Sequence, residues 1–246
     1  MDGTFYLGDK IIDGSLDFIK KMESTGKKYL FFTNNSSKTS DFYIKKLDSM
    51  GLKIRPEQIM TSGDITINYL KKHYQGKTIY LVATDIVEKN FIDNGISLGS
   101  ENADAVVISF DTSLTYEKLS IACTLIRNGS DFIATHPDFN CPTEDGFIPD
   151  CGAMCALITA STGKEPRYLG KPNRETVDGI LDLTGLEVDD IVFVGDRLYT
   201  DIATAYNHGA TGLLVLSGET KLEDVKSSDV KPDFIFENLK EVAKEL

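Results

Sequence analysis

Short apolar runs separated by helical patterns constrain the fold of this chain more than any other feature of its sequence. The runs are continuous and do not alternate with polar residues, which is typical of parallel strands covered on both faces. The runs that predict strands are Tyr29–Phe32, Thr78–Val82, Ala105–Phe110, Asp131–Ala134, Ile191–Val194 and Gly212–Leu216. Strands that alternate with helices predict an α/β fold with a mainly parallel sheet.

Three capping residues and one glycine mark four helices along the chain. Asp13, Thr115 and Asn173 each stand just before an apolar helical pattern, so each is expected to cap a helix. A fourth, short helix is expected from Asp201 to His208, where Gly209 follows it.

The middle of the chain has the pattern of a separate unit. A length of 246 residues suits about one and a half domains. Residues 72–163 hold three of the six strands, and insertion of a domain at a loop tip is well tolerated. We therefore expect a core domain of residues 1–71 and 164–246, with an inserted domain of residues 72–163.

The charge balance narrows the possible partners. Lys and Arg number 26 against 38 Asp and Glu, a net charge of −12, which disfavours binding to the phosphate backbone of nucleic acids. A small anionic substrate stays possible, since a metal ion and a few aimed donors can reverse the sign locally. Apolar stretches fall short of the ~20 residues of a membrane span, and the N-terminus lacks the features of a signal peptide.

Four cysteines without a secretion signal indicate a reducing, cytoplasmic compartment. Cys151 and Cys155 are four residues apart and share a helix face, which would suit a metal or redox pair that Cys141 could join. The chain offers no CxxC pair to complete a zinc site, so small buried hydrophobic residues are the favoured interpretation.

Two polar segments near strands could take part in a binding site. Asp2–Thr4 can present a carboxylate and a backbone carbonyl at a tight turn, although Asp-Gly is also an ordinary turn signal. Thr33–Ser37 follows an apolar strand, and its hydroxyl, amide and N–H groups can surround an oxyanion. A loop of this composition can equally serve only to cap the next helix.

Two charged segments follow strands closer to the C-terminus. Lys171 stands between Gly170 and Pro172 and can bind phosphate as a point charge, or be a solvated turn residue. Asp196 and Asp201 flank a strand-to-helix turn and offer the carboxylate oxygens that Mg²⁺ prefers, or act only in the turn and the helix start. In open α/β sheets, ligands bind at the edge formed by the carboxyl ends of the strands, where all four segments are expected.

In this order the segments resemble the four motifs of the haloacid dehalogenase superfamily of phosphotransferases. The closer resemblance is to its 4-nitrophenylphosphatase-like (NagD-like) branch, and it covers essentially the whole chain. The matching segments are Asp2–Gly8, Thr33–Asn35, Ala134–Asp138, Pro142–Glu144 and Gly170–Pro172. The resemblance implies a Rossmann-like parallel-sheet core with an inserted α/β cap domain.

One departure concerns the nucleophile. The superfamily motif is Asp-x-Asp-Gly-Thr, and Asp2 matches its second Asp, so the first would stand immediately before Met1, at the end of a central strand. The resemblance implies Mg²⁺-dependent hydrolysis of a small phosphomonoester through an aspartyl-phosphate on that Asp. An inactive relative that binds Mg²⁺ or phosphate is the alternative, and a binding protein without a phosphate site is a third.

The resemblance also implies roles for residues of the core. Asp2 would be the general acid and then the base, and its backbone carbonyl would bind Mg²⁺. Lys171 would neutralise charge and orient the nucleophile. Asp196 would bind Mg²⁺, and Asp201 would support that metal site.

Other residues would contact the substrate. Thr33 and the N–H groups of Asn34 and Asn35 would hold the phosphoryl oxygens. His136 stands where the family usually has Asn, and it could face the substrate together with Asp138 or be an ordinary loop residue. The expected partner is a small phosphorylated metabolite such as a sugar phosphate or nucleotide, and the oligomeric state stays open, with a homodimer through the cap as one alternative.

Overall fold

The chain forms two compact units in the computed structural model, which describes residues 1–143 and 146–246. The first unit holds residues 1–32, 44–59 and 171–246, and the second holds residues 33–43 and 60–170. Glu144, at the end of the Pro142–Glu144 segment, lies outside the described residues.

Strands and helices alternate along the chain, which confirms the predicted α/β class. The strands are β1 (Tyr6–Leu7), β2 (Lys10–Ile11), β3 (Phe31–Thr33), β4 (Ile59–Thr61), β5 (Thr78–Val82), β6 (Ser97–Leu98), β7 (Ala105–Ile108), β8 (Asp131–Ala134), β9 (Asn140–Thr143), β10 (Gly146–Pro149), β11 (Arg167–Tyr168), β12 (Val192–Gly195), β13 (Thr211–Val215) and β14 (Phe234–Phe236). The helices are α1 (Ser15–Ser24), α2 (Ser40–Ser49), α3 (Ser62–His73), α4 (Asp85–Asp93), α5 (Tyr116–Arg127), α6 (Cys151–Thr162), α7 (Arg174–Thr184), α8 (Ala203–His208), α9 (Leu222–Ser227) and α10 (Leu239–Glu245). Among the described residues, no helix combines the length and the apolar character that crossing a membrane requires.

A five-stranded parallel sheet organises the second unit. Its strand order is β11-β8-β7-β5-β6, and its register sets Val82 beside Ile108 and Ile108 beside Ala134. All four side chains of β7 are buried, as expected for a central strand covered on both faces. The core beside this sheet includes Ile126 of α5 and Ile158 of α6.

The first unit contains a parallel sheet in the order β12-β13-β14. Strand β12 starts and ends one residue later than predicted. Its last residue is Gly195, and Asp196 follows directly. A small core of Leu198, Ile202 and Leu214 lies beside this sheet. Strands β3 and β4 form a separate two-stranded sheet, and β1 and β2 form an antiparallel pair.

The helix ends correct two predictions and confirm two others, one of which is Asn173 as the N-cap residue of α7. Thr115 caps α5, because its hydroxyl accepts a hydrogen bond from the backbone N–H of Lys118 at 3.1 Å. The prediction for Asp13 was wrong: Gly14 is the N-cap residue of α1, and the Asp13 carboxylate instead pairs with Lys240 Nζ at 2.8 Å. The helix predicted from Asp201 is also different, since a π-helical turn, Leu198–Ile202, precedes α8.

The second unit extends beyond the predicted insert of residues 72–163. It also takes in residues 33–43, 60–71 and 164–170. Hydrogen bonds explain the first addition, because Ser109 Oγ donates to Ser36 O at 2.8 Å and Thr84 Oγ1 donates to Ser37 O at 3.0 Å. These long-range bonds attach the segment after β3 to loops that follow β7 and β5.

Candidate active site

Asp196 is a buried carboxylate at the carboxyl end of β12. Its Oδ1 accepts a hydrogen bond from the Thr4 hydroxyl at 2.7 Å, and its Oδ2 accepts one from the backbone N–H of Glu219 at 3.0 Å. A carboxylate has about four lone-pair sites, so two donors leave acceptor capacity on both oxygens. Asp196 is therefore held in one orientation and can still bind a cation.

Two glycines approach this carboxylate closely. A Cβ on Gly3, or one on Gly218, would collide with Asp196 Oδ2. The two glycine loops are tied to each other, because Ser217 Oγ donates to Gly3 O at 2.9 Å. Only residues without a side chain let both loops enclose Asp196 in its present position.

Lys171 and Asp201 form a buried ion pair in the same unit. Lys171 Nζ lies 2.5 Å from Asp201 Oδ1, and the backbone N–H of Arg197 donates to Oδ2 at 3.2 Å. Burial would raise the pKa of the Asp201 carboxyl, but the positive charge of Lys171, with these hydrogen bonds, holds that pKa below its usual value. Lys171 Nζ also lies 5.2 Å from the centre of the Phe32 ring.

Four predicted residues act electrostatically on the α-amino group of Met1. Burial is the main cause that holds its pKa below the usual value, and the charge of Lys171 adds to it. The carboxylates of Asp201, Asp196 and Asp2 act in the opposite direction. Asp2 itself is exposed, and its neighbour Gly3 lies against the carboxylate of Asp196. The first unit thus contains Asp2, Lys171, Asp196 and Asp201.

The remaining predicted residues lie in the second unit. The backbone N–H of Asn35 donates to Thr33 Oγ1 at 3.2 Å, next to the end of β3. Asn34 Nδ2 donates to both carboxylate oxygens of Asp138, at 3.3 Å each. Asn34 and Asp138, predicted from separate motifs, are thus in direct contact.

His136 is completely buried in the second unit. Its Nε2 lies 3.4 Å from Ser36 Oγ and 3.5 Å from Asp150 Oδ1. Ser36 Oγ also lies 2.8 Å from the Thr135 hydroxyl. Both interpretations of His136, as a substrate residue and as a loop residue that makes hydrogen bonds, are compatible with these contacts.

Several residues of these sites were not singled out from the sequence. Thr4 and the segment Ser217–Thr220 surround Asp196, and Asp150 contacts His136. Ser217–Thr220 follows an apolar strand, which is the same signal that identified Asp196. Asp150 precedes the helical pattern of α6, so the sequence marks it as a cap but gives no sign of its pairing with His136.

The cysteines are free thiols, and Cys123, Cys151 and Cys155 are buried while Cys141 is partly exposed. Cys151 Sγ contacts the carbonyl oxygen of Ile108 at 3.3 Å. Burial raises the pKa of the Cys155 thiol, and its neighbour Cys151 adds to this effect. A raised pKa disfavours the reactive thiolate, which agrees with the favoured interpretation of small buried residues.

Comparisons with known proteins identify the family. A family model described as haloacid dehalogenase-like hydrolase matches residues 1–97, and one described as HAD-hydrolase-like matches residues 168–242. An acid sugar phosphatase of Staphylococcus epidermidis is 36% identical over an alignment that covers 100% of this chain and 95% of that protein.

Solved structures agree with these matches. The 4-nitrophenylphosphatase of Thermotoga maritima is 45% identical, with a TM-score of 0.96 over 99% of this chain and 94% of that one. NagD of Escherichia coli K-12 is 28% identical, with a TM-score of 0.91 over 98% of this chain and 95% of that one. The chain therefore belongs to the haloacid dehalogenase-like hydrolase family and is a phosphatase of its NagD-like branch.

Proposed function

We propose that the protein hydrolyses a small phosphomonoester in a Mg²⁺-dependent reaction that passes through an aspartyl-phosphate. One observation supports the proposal: Lys171 pairs with Asp201, Gly3, next to Asp2, lies against the carboxylate of Asp196, and the charges of all four residues act on the α-amino group of Met1. A residue joined to that nitrogen would start beside a buried cation and two buried carboxylates. This is the position of the nucleophilic Asp in the Asp-x-Asp-Gly-Thr motif.

The donor set around Asp196 suits Mg²⁺. Mg²⁺ takes oxygen ligands and is usually bound by one or two carboxylates together with water and substrate phosphate. Asp196 and the backbone carbonyl of Asp2 would hold it, and the Thr4 hydroxyl and Glu219 N–H orient the Asp196 carboxylate as supporting donors commonly do. Asp201 would support this group through its pair with Lys171. When bound, Mg²⁺ offsets negative charge on the phosphoryl group.

Protons and charge in the reaction would be handled by the chain's own residues. The nucleophilic Asp, which would stand immediately before Met1, bonds to phosphorus while the bond from phosphorus to the alcohol oxygen breaks, and Asp2 protonates that oxygen. Asp2 then removes a proton from water, which attacks phosphorus and releases inorganic phosphate and the free carboxylate. Lys171 neutralises charge on the phosphoryl oxygens throughout, since phosphoryl transfer depends chiefly on positioning and electrostatics.

The phosphoryl oxygens would also be bound by the loop after β3. Thr33 and the N–H groups of Asn34 and Asn35 are the proposed donors. The Asn35 N–H now donates to Thr33 Oγ1, so it would exchange that partner for a phosphoryl oxygen. His136 remains our candidate for a contact with the leaving group, together with Asp138.

The relatives suggest where to begin with substrates. Several are named acid sugar phosphatase or 4-nitrophenylphosphatase, so a sugar phosphate is the first physiological class to test. A cytoplasmic location, one small phosphorylated metabolite as partner and a homodimer as an alternative to a monomer remain our expectations for the same protein.

The decisive experiment compares two N-terminal extensions of the chain. Each adds the same apolar strand before Met1, and the strand ends in Asp in one protein and in Asn in the other. Release of phosphate from 4-nitrophenyl phosphate is measured with and without Mg²⁺. We expect the Asp protein to be faster by roughly 10³-fold or more, because loss of a nucleophile costs at least this much.

Two results would contradict the proposal. If the Asn protein or the unextended chain releases phosphate as fast as the Asp protein, another nucleophile acts. If both extended proteins bind Mg²⁺ with the same affinity but neither releases phosphate, the non-catalytic alternative would hold.

A further inference from the structure

We propose that His136, Asp138 and Asp150 form a binding site for a first-row transition-metal dication, of which Zn²⁺ is the first to test. A ring nitrogen of His136 and one carboxylate oxygen from each Asp lie within 4.8 Å of one another. All three residues belong to the second unit, whereas Asp196 belongs to the first. The proposal is therefore independent of the Mg²⁺ proposed at Asp196, and it is an alternative to the contact with the leaving group proposed for His136 and Asp138.

The distances within this group suit a small cation. Ligand atoms about 2.1 Å from a tetrahedral Zn²⁺ lie about 3.4 Å from each other. His136 Nε2 and Asp150 Oδ1 are 3.5 Å apart, so these two ligands already have the required separation. The carboxylate of Asp138 needs only a small movement, because its closest oxygen is within 4.8 Å of the other two ligand atoms.

The ligand types select the kind of metal. One imidazole with two carboxylates suits Zn²⁺, Co²⁺ or Ni²⁺, whereas Mg²⁺ is usually bound by oxygen atoms alone. His136 and Asp150 are buried, and buried charges are normally paired or bound to a metal. Two carboxylates beside one imidazole carry net negative charge even when the imidazole is protonated, so a dication is electrostatically favoured.

The backbone around the group is fixed in advance. The Asp150 carboxylate caps α6 by accepting a hydrogen bond from the Cys151 N–H at 2.6 Å. The N–H of Gly152 donates to Asp138 O at 2.8 Å, and a Cβ on Gly152 would collide with the carbonyl oxygen of Pro137. The loop that carries Asp138 is thus held against the first turn of α6, and bound metal would join the two.

A supporting donor orients one ligand in the manner of known metal sites, because Asn34 Nδ2 donates to both oxygens of Asp138. Ser36 Oγ lies 3.4 Å from His136 Nε2, which is the ligand atom itself, so bound metal would replace this contact. Ser36 Oγ would keep its contact with the Thr135 hydroxyl.

The test is a titration of the full chain with Co²⁺ in excess Mg²⁺, which is added to occupy the site proposed at Asp196. We expect one equivalent of Co²⁺ to give the visible absorption of a low-coordinate cobalt centre, and Zn²⁺ to displace it. His136→Asn and Asp150→Asn should abolish the band. His73→Asn, which changes an exposed histidine of the same unit, should retain it.

A second measurement separates binding from folding. Zn²⁺ should raise the melting temperature of the wild-type chain and of His73→Asn, but not that of Asp138→Asn, whose half-buried side chain can be changed with little harm to folding. The proposal is overturned if wild type gives no cobalt band in excess Mg²⁺. It is equally overturned if Asp138→Asn and a folded His136→Asn bind Zn²⁺ as wild type does, since His136 and Asp150 would then be an ion pair only.

Discussion

Replacing Asp201 with Asn is expected to destabilise the first unit, because it leaves Lys171 buried beside a neutral partner. Both side chains are only 10% exposed, so solvent screens the pair little. Removal of one partner of a buried pair costs about 3–5 kcal/mol of unfolding free energy. At about 2–4 °C per kcal/mol for a chain of this size, the melting temperature should fall by roughly 6–20 °C.

The assay is thermal and urea unfolding followed by circular dichroism, with Asp93→Asn as the control. Asp93 pairs with Lys89 at 2.6 Å, but both side chains are more than half exposed, and exposed pairs contribute about 0–1 kcal/mol. The double variant Lys171→Met with Asp201→Asn should recover part of the loss, since it removes the buried charge. A loss for Asp201→Asn no larger than that for Asp93→Asn would refute the reasoning.

Three further predictions concern the surroundings of the same carboxylates. Because the pKa of Asp201 is lowered in the folded protein, its ionised carboxylate stabilises the fold above the unfolded pKa of about 4, and this contribution is lost as pH falls. When the free energy of unfolding is measured against pH, Asp201→Asn should therefore show a weaker decline than wild type below about pH 4. Gly218→Ala should weaken Mg²⁺ binding in calorimetry, because its Cβ would displace the Asp196 carboxylate, and an unchanged affinity would count against this. Thr4→Val should cost about 1–3 kcal/mol of unfolding free energy by removing the donor to Asp196 Oδ1, and Thr4→Ser, which keeps the hydroxyl, should restore most of it.

The positions of the strands were the predictable part of this molecule, although four of the six predicted strands differ at an end by one or two residues. Thr78–Val82 and Asp131–Ala134 have the predicted bounds, because a buried parallel strand needs a continuous apolar run. Asp196 follows β12 directly, and a polar residue at such an edge is visible from its neighbours in the chain. Local pattern was sufficient wherever the neighbours in sequence decided the structure.

Interactions between distant segments were not predictable in this way. Lys171 and Asp201 are 30 residues apart, and spacing alone does not reveal that they pair. Asp13 is a good cap by residue type, but its carboxylate binds Lys240, which lies at the other end of the chain. The antiparallel strands β9 and β10 contain Pro142 and Pro149, which disfavour strands, so their pairing had no signal in the sequence.

The most direct test of the account is the Mg²⁺ dependence of phosphate release by the chain extended with a strand ending in Asp. Rates with 4-nitrophenyl phosphate are measured over a Mg²⁺ titration, after removal of metals with EDTA, for this protein and its Asp196→Asn variant. The account predicts saturable activation by Mg²⁺, and a loss of roughly 10²-fold or more in the variant. Activity that survives EDTA, or an Asp196→Asn variant as active as its parent, would contradict the assignment of this site.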